Sequence, residues 1–276
     1  MKVSVILSTY NQPKWLEKVI WGYECQSYKD FELVIADDGS GPETIELIKR
    51  YKQNTALNIV HVWHEDRGFQ KSEILNKATK ASQGDYLIFS DGDCIPRQDF
   101  VATHISNAKP GFFLSGGYFM LPAETSSAIT KEDITSGRSF QTKWLYSNGL
   151  KRTYKTLKFT TSRILQKLLN GLTPTKATWN GHSSSGWRKD IIGVNGFNEE
   201  MQYGGQDREL GERLVNCGII GKQIRYSAVC IHLDHKRGYK TKESISKNKK
   251  IRQETRTTGR TWTPHGIEKT EQAISS

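Results

Sequence analysis

Asp91 and Asp93 stand one glycine apart at the end of Tyr86-Leu-Ile-Phe-Ser90, an apolar run with the length and residue types of a buried strand. Carboxylates placed there can reach a divalent cation and leave it open positions for phosphate oxygens. A polar Asp-Gly turn closing the strand is the plainer alternative. A second pair, Asp37-Asp38, follows Phe31-Glu-Leu-Val-Ile-Ala36 and runs into Gly39-Ser40. Asp38 can accept a hydrogen bond from a base N–H or a ribose hydroxyl, or these residues form only a turn and a helix cap. In Tyr203-Gly-Gly-Gln-Asp-Arg-Glu-Leu210, two glycines permit an unusual turn that can present Asp207 at a helix N-terminus. A simple N-cap is the competing use of that aspartate. His232 and His235 follow another apolar run and can share a metal only in suitable local geometry.

These groups need elements to position them. Val3–Thr9, Phe31–Ala36, Asn58–Trp63 and Tyr86–Ser90 read as strands, separated by helices starting at Pro13, Pro42 and Lys71. That alternation predicts an α/β fold with a mostly parallel central sheet covered by helices on both faces. Ligands bind such sheets at the carboxyl ends of the strands, so both aspartate pairs should line one crevice. Phe112–Met120 reads as a further buried strand. Between Pro122 and Thr178 the alternation stops. There Leu150, Tyr154, Leu157, Ile164, Leu165, Leu168 and Leu169 recur at near-helical spacing among lysines and arginines, which predicts a basic amphipathic helical insert. Such a helix covers its own domain or lies on an anionic membrane surface, the former being the commoner use. Beyond about Thr241 the chain is basic and poor in apolar residues, as expected of a mobile tail.

Of 276 residues, 40 are Lys or Arg and 29 Asp or Glu, a net charge of +11 that predicts anionic company. The charge is uneven, with no acidic residue between Asp133 and Asp190 and a second basic stretch from Lys236 to Arg260. The four scattered cysteines form no zinc or disulfide pattern. No run is long enough to span a bilayer and the first residues enter a strand directly, so the expected setting is cytoplasmic. The usual phosphate-cradling loops are absent, leaving a metal on Asp91 and Asp93, with Arg67 or Lys71, to meet phosphate charge.

The ordered set Ala36-Asp-Asp-Gly-Ser40, His61-Val-Trp-His-Glu-Asp-Arg-Gly-Phe69, Asn76 and Gly84-Asp-Tyr-Leu-Ile-Phe-Ser-Asp-Gly-Asp-Cys-Ile-Pro96 resembles the nucleotide-sugar domain of family 2 glycosyltransferases, more narrowly a bacterial chondroitin-polymerase-type branch. Val194-Asn-Gly-Phe-Asn198, the Asp207 segment and His232-Leu-Asp-His235 are similar to the acceptor-side segment shared with β-1,4-galactosyltransferases. The resemblance covers roughly residues 3–121 and 179–240. It implies a GT-A fold, a UDP-linked sugar donor, Mn²⁺ or Mg²⁺, and a saccharide or lipid-linked acceptor. The metal ligands it implies are Asp91, Asp93 and either His232 or His235. Thr9, Tyr10, Asn11, Asp38, Arg67, Lys71, Asn76, Asp91 and Gly92 make the expected donor-binding set, Trp187, Gly205 and Gln206 the acceptor contacts, and Asp207 the catalytic base. Gln206 departs from the glutamate of the related motif, which puts acceptor identity in question.

The implied organisation is one catalytic domain over 1–240, divided into a nucleotide-sugar half (1–121), the basic insert (122–178) and an acceptor half (179–240), followed by the tail (241–276). The implied reaction is an inverting transfer in polysaccharide or glycoconjugate assembly; from the basic insert, which lies outside the resemblance, comes the further expectation of peripheral contact with anionic lipid at the inner membrane face. A nucleotidyltransferase lacks support because Ser8-Thr-Tyr-Asn-Gln-Pro13 is not a glycine-rich basic loop. A nucleic-acid-binding protein lacks support because the basic residues sit away from the acidic crevice and no such motif is present, so no nucleic acid is expected as a partner.

Overall fold

The computed structural model describes residues 1–235 and 240–269. Residues 236–239 of the second basic stretch and 270–276 of the expected tail lie outside the described residues.

The chain opens with β1 (Val3–Thr9), α1 (Pro13–Glu24), β2 (Glu32–Asp37), α2 (Pro42–Asn54), β3 (Asn58–Trp63), α3 (Lys71–Ala81) and β4 (Tyr86–Asp91). Then come β5 (Cys94–Pro96), α4 (Phe100–Asn107), β6 (Phe112–Ser115) and β7 (Gly117–Met120). The middle holds α5 (Ala123–Ala128), α6 (Lys131–Thr135), α7 (Thr142–Ser147) and α8 (Arg163–Leu172), with 3₁₀ turns at Arg138–Phe140 and Tyr154–Phe159. The last part comprises β8 (Ser184–Trp187), α9 (Arg188–Gly193), α10 (Gln206–Asn216), β9 (Ile220–Gln223), β10 (Val229–His232) and α11 (Lys242–Thr258).

Seven strands form the main sheet in the order β3-β2-β1-β4-β8-β6-β9, with only β8 antiparallel to its neighbours. Every residue of β1 and β2 is buried, as a parallel sheet covered on both faces requires. Alternate side chains of β1 enter different cores: Val5 and Leu7 pack with Leu16, Ile20 and Ile48, whereas Ile6 packs with Ile74, Leu75 and Leu210. A second sheet, β5-β10-β7, carries the chain from the Asp91–Asp93 turn to His232.

Three expectations change. Phe112–Met120 is two strands in different sheets, because the chain crosses over at Gly116 and Gly117, where an added Cβ would run into Ser183 and the Arg225 carbonyl. The insert is not one amphipathic helix. Leu150 and Phe159 enter the core, and a new helix begins where the Ser162 hydroxyl caps Leu165 N–H. The region beyond Thr241 is not a loose tail as far as it is described. It forms α11, capped by Thr241 and ended by left-handed Gly259, and it docks on α10. The docking is polar: Thr255 donates to Glu209, Arg252 pairs with Glu212, and buried Asn248 reaches the carbonyls of Gln202 and Gly204. Hydrophobic periodicity cannot register such contacts.

Candidate active site

A cleft of about 800 Å³ opens at the carboxyl ends of β1, β2 and β4. The turn after β4 approaches β1 so closely that Gly92 N–H donates to Ser8 O at 2.7 Å. A Cβ at position 92 would lie 2.9 Å from that carbonyl and 3.1 Å from Thr9 Oγ1, so the residue between the carboxylates must be glycine.

At one end of the cleft lies Asp38. Its Oδ1 meets His64 Nε2 at 2.8 Å and its Oδ2 accepts Gln70 N–H at 3.1 Å. Lys77 donates to His64 Nδ1, so Nε2 carries the hydrogen that His64 gives to Asp38. Burial raises the Asp38 carboxyl above its ordinary value, against the pull of His64. The preceding Asp37 takes the turn role, accepting Ser40 N–H and contacting His61. Asn11, at φ 47°, fixes the neighbouring wall by accepting Gly41 N–H and donating its own N–H to Ser40. Thr9 and Tyr10 line the same side, and the Tyr10 hydroxyl donates to Asp66.

At the centre, Lys71 Nζ donates to Asp91 Oδ1 at 2.6 Å, and Ser8 Oγ donates to the same oxygen at 2.8 Å. Burial opposes both charges, but each partner outweighs it for the other. Asp91 is held well below the usual carboxylate range, and Lys71 is held above its usual value by Asp91, Asp207 and Asp93.

Asp93 faces the second sheet. Its Oδ2 lies 2.9 Å from His235 Nε2, and its Oδ1 lies 3.8 Å from His232 Nε2. His232 Nδ1 is 2.8 Å from the Leu233 carbonyl, which can only accept, so Nδ1 carries a hydrogen and Nε2 is the nitrogen turned toward Asp93. A carboxylate oxygen and an imidazole nitrogen face one another there, a pair that can ligate a cation. Ligand atoms of Asp93, Cys94 and His232 lie within 4.8 Å of one another. Burial and neighbouring Cys230 push the Cys94 thiol well up and keep it protonated, leaving the carboxylate and imidazole as fitting ligands. Asp91 lines the cleft, yet its Oδ1 is engaged by Lys71 and Ser8, and it is not among the three clustered ligands.

Asp207 sits in the first turn of α10. Gly204 at φ 114° and Gly205 at φ 96° make the turn before it, backbone angles that favour glycine. Asp207 Oδ2 and Lys71 Nζ would lie 3.1 and 3.2 Å from a Cβ at Gly181, so both press on that backbone. Asp207 Oδ1 is buried and has no hydrogen-bond partner among the described residues. Burial raises this carboxyl above its ordinary value despite Lys71. Gln206 also lines the cleft, but its Oε1 accepts Gly204 N–H at 3.0 Å and so helps hold the turn.

Four expected contacts lie elsewhere. Trp187 pairs with Tyr86 at the opposite end of β4 and donates to Lys109 O, because antiparallel β8 brings Ser184 rather than Trp187 toward the cleft. Asn76 is buried and exchanges hydrogen bonds with the Phe197 backbone, joining α3 to the Asn-Gly-Phe turn. Arg67 is exposed and pairs with Glu73, and Gly205 shapes the turn without lining the cleft. Sequence reasoning missed Tyr118, Met120, Gly181 and His182 as lining residues. His182 belongs to the glycine-punctuated Trp179–Asp190 stretch; its ring lies 4.2 Å from that of Tyr118, and burial lowers its pKa to about 3.

Residues 4–120 match the family model Glycosyl transferase family 2. The chain is 26% identical over 284 residues to the glycosyltransferase YfnE of Bacillus subtilis, covering 90% of this chain and 69% of that protein. It is 32% identical over 107 residues to poly-beta-1,6-N-acetyl-D-glucosamine synthase of Staphylococcus aureus, covering 39% of this chain and 25% of the synthase. Among solved structures, the Pyrobaculum calidifontis mannosyltransferase PcManGT with GDP-Man and Mn²⁺ superposes with a TM-score of 0.58 at 20% identity, covering 86% of this chain and 58% of that one. TarS 1–349 of S. aureus with UDP-GlcNAc also gives 0.58, at 18% identity, covering 87% and 60%. The chain thus spans a quarter of the synthase and under two thirds of these solved chains. The structural likeness shows a GT-A fold. The family match over residues 4–120, together with these glycosyltransferase relatives, supports a transferase enzyme.

Proposed function

We propose that the protein is an inverting, metal-dependent glycosyltransferase. It takes a sugar from a nucleotide donor, UDP-linked in the first instance, to a hydroxyl of a saccharide or lipid-linked acceptor in polysaccharide or glycoconjugate synthesis. The observation that carries this reading is the buried, unpartnered Asp207 Oδ1 in the same cleft as Lys71, Asp91 and Asp93. TarS with UDP-GlcNAc and PcManGT with GDP-Man and Mn²⁺ support a nucleotide-sugar donor and a divalent ion. The chondroitin-polymerase-type and galactosyltransferase-like affinities rest on the motif order alone.

Asp38, fixed by His64 and Gln70, keeps lone pairs for the nucleoside, and Thr9, Tyr10 and Asn11 wall that end. Lys71 supplies positive charge toward the diphosphate and screens Asp91 from Asp207. Asp93 and His232 would hold a metal ion, and Asp91, on the same turn, would be the further carboxylate available to it. A bound ion would act there as a Lewis acid on the leaving diphosphate. A carboxylate with one imidazole favours Mn²⁺ over Mg²⁺, which prefers all-oxygen ligands. His235 holds the Asp93 carboxylate in place.

Asp207 takes the proton from the acceptor hydroxyl as that oxygen attacks the anomeric carbon. Its raised affinity for protons suits the role, and an unpartnered oxygen leaves a place for the hydroxyl hydrogen. A single displacement opposite the leaving group inverts the anomeric centre. The test is a panel of nucleotide sugars with Mn²⁺, scored by thermal shift and by donor hydrolysis. Stabilisation by one nucleoside diphosphate sugar that persists in Asp207→Asn, with turnover lost, supports the assignment; no response to any donor overturns it.

A further inference from the structure

We propose that α8 is a docking element for an anionic lipid surface. The helix is about 15 Å long, and it is mounted with its polar side inward. Gln166 is buried, with Nε2 donating to Thr160 O at 2.8 Å. Asn170, one turn on, donates to Ser227 Oγ and accepts Tyr226 N–H. The opposite side carries Ile164, Leu168 and Leu172, spaced four apart and therefore in one row. They are 84%, 55% and 70% exposed. A surface helix ordinarily buries such a row and shows its polar side to water. The preceding 3₁₀ turn exposes Tyr154 and Leu157 as well.

The charge around this row selects the occupant. Arg163 and Lys167 are exposed on the helix itself, Lys155 is exposed ahead of it, and no carboxylate interrupts the sequence between Asp133 and Asp190. An apolar ridge flanked by basic side chains that form no ion pair among the described residues matches an anionic bilayer, with the ridge entering the acyl boundary and the cations meeting headgroup phosphates. A second copy of this chain would bring like charge against like charge. No described helix is long and apolar enough to cross a membrane, so contact through this element would be peripheral.

The element also adjoins the cleft. Lys158, just ahead of α8, donates to Tyr118 O at 2.7 Å, and Tyr118 lines the cleft wall. Docking there would bring the cleft near the surface that carries a lipid-linked acceptor. That last connection rests on the proposed transfer reaction; the docking itself does not.

Co-sedimentation with phosphatidylcholine vesicles, with and without phosphatidylglycerol, tests the proposal using the whole chain. Binding should require phosphatidylglycerol and weaken as salt rises. Ile164→Ser with Leu168→Ser, and separately Arg163→Glu with Lys167→Glu, should each reduce partitioning at least about tenfold. These side chains are exposed, so thermal unfolding and donor hydrolysis without vesicles should remain as in the parent. Binding indifferent to phosphatidylglycerol, or unchanged in either variant, overturns the assignment. So does light scattering that shows a dimer abolished by Leu168→Ser. Donor hydrolysis is measured apart from vesicle binding, so failure of one reading is distinguishable from failure of the other.

Discussion

The Lys71 ammonium lies 2.6 Å from Asp91 Oδ1 and belongs to an electrostatic group with Asp207. Removing it leaves carboxylates facing a diphosphate with less positive charge between them. Lys71→Met should raise the donor KM at least about tenfold, the scale of one lost charge-assisted contact of about 1.5–3 kcal/mol. The pH dependence has a definite sign. Asp91 is depressed in the folded protein, so its contribution to stability is present above the unfolded value of about 4 and is lost as pH falls through the folded value. Without Lys71 that folded value rises, and acid unfolding should become less steep in this range. Denaturant titrations at stepped acidic pH, beside donor saturation curves, measure both effects.

Asp207 gives the opposite sign. Burial raises its carboxyl above the ordinary value, so ionised Asp207 costs stability, fully so at neutral pH. The cost vanishes as pH falls below the unfolded value of about 4. Asp207→Asn should therefore be more stable than the parent at neutral pH, with the difference closing in acid. Its kcat should fall by about 10² to 10⁴, the range for removal of a general base, while donor affinity stays within a few-fold. Parallel loss of donor binding and turnover would instead mark Asp207 as a structural cap.

How far the residues disclosed this arrangement depends on the kind of contact. β1, β2 and β4 were legible because strands buried on both faces must be nearly continuous apolar runs, and the carboxylates at their ends followed from that. The split at Gly116 was not legible, since an apolar run does not reveal which sheet each half joins. Trp187 was misplaced because its residue type was read without the direction of β8. The docking of α11 rests on Asn248, Thr255 and Arg252, which composition alone presents as solvated tail. His182 was missed because nothing in its local spacing announced that the chain returns beside Asp91.

The facing Asp93 carboxylate and His232 Nε2 yield a metal prediction with a readout independent of turnover. Mn²⁺ should raise the unfolding temperature of the parent, and at one hundred times its dissociation constant the stabilisation should be about 2.7 kcal/mol. Asp93→Ala and His232→Ala should lose most of that shift, whereas Cys94→Ser should keep it, because the thiol stays protonated. Excess chelator should abolish transfer and added Mn²⁺ should restore it. Full turnover in excess chelator would remove the metal from the reaction.

Asn248 is the most informative residue outside the cleft. It is fully buried on α11 and donates to Gln202 O and Gly204 O at 2.8 and 3.1 Å, gripping the turn that leads into Asp207. The two glycines give that turn its shape but also its freedom, since neither has a side chain to restrict it. Asn248→Ala leaves buried carbonyls short of a donor and should cost about 1–3 kcal/mol of stability. If α11 also holds the base in position, kcat should fall about tenfold or more while the donor KM barely moves, as expected when a positioned group loses its alignment. Lys249→Ala, exposed on the same helix, should change neither. The deciding measurement is the double variant with Asp207→Asn. If Asn248 acts through Asp207, its effect on kcat should disappear once that carboxylate is gone, whereas a purely structural role would leave the two losses additive.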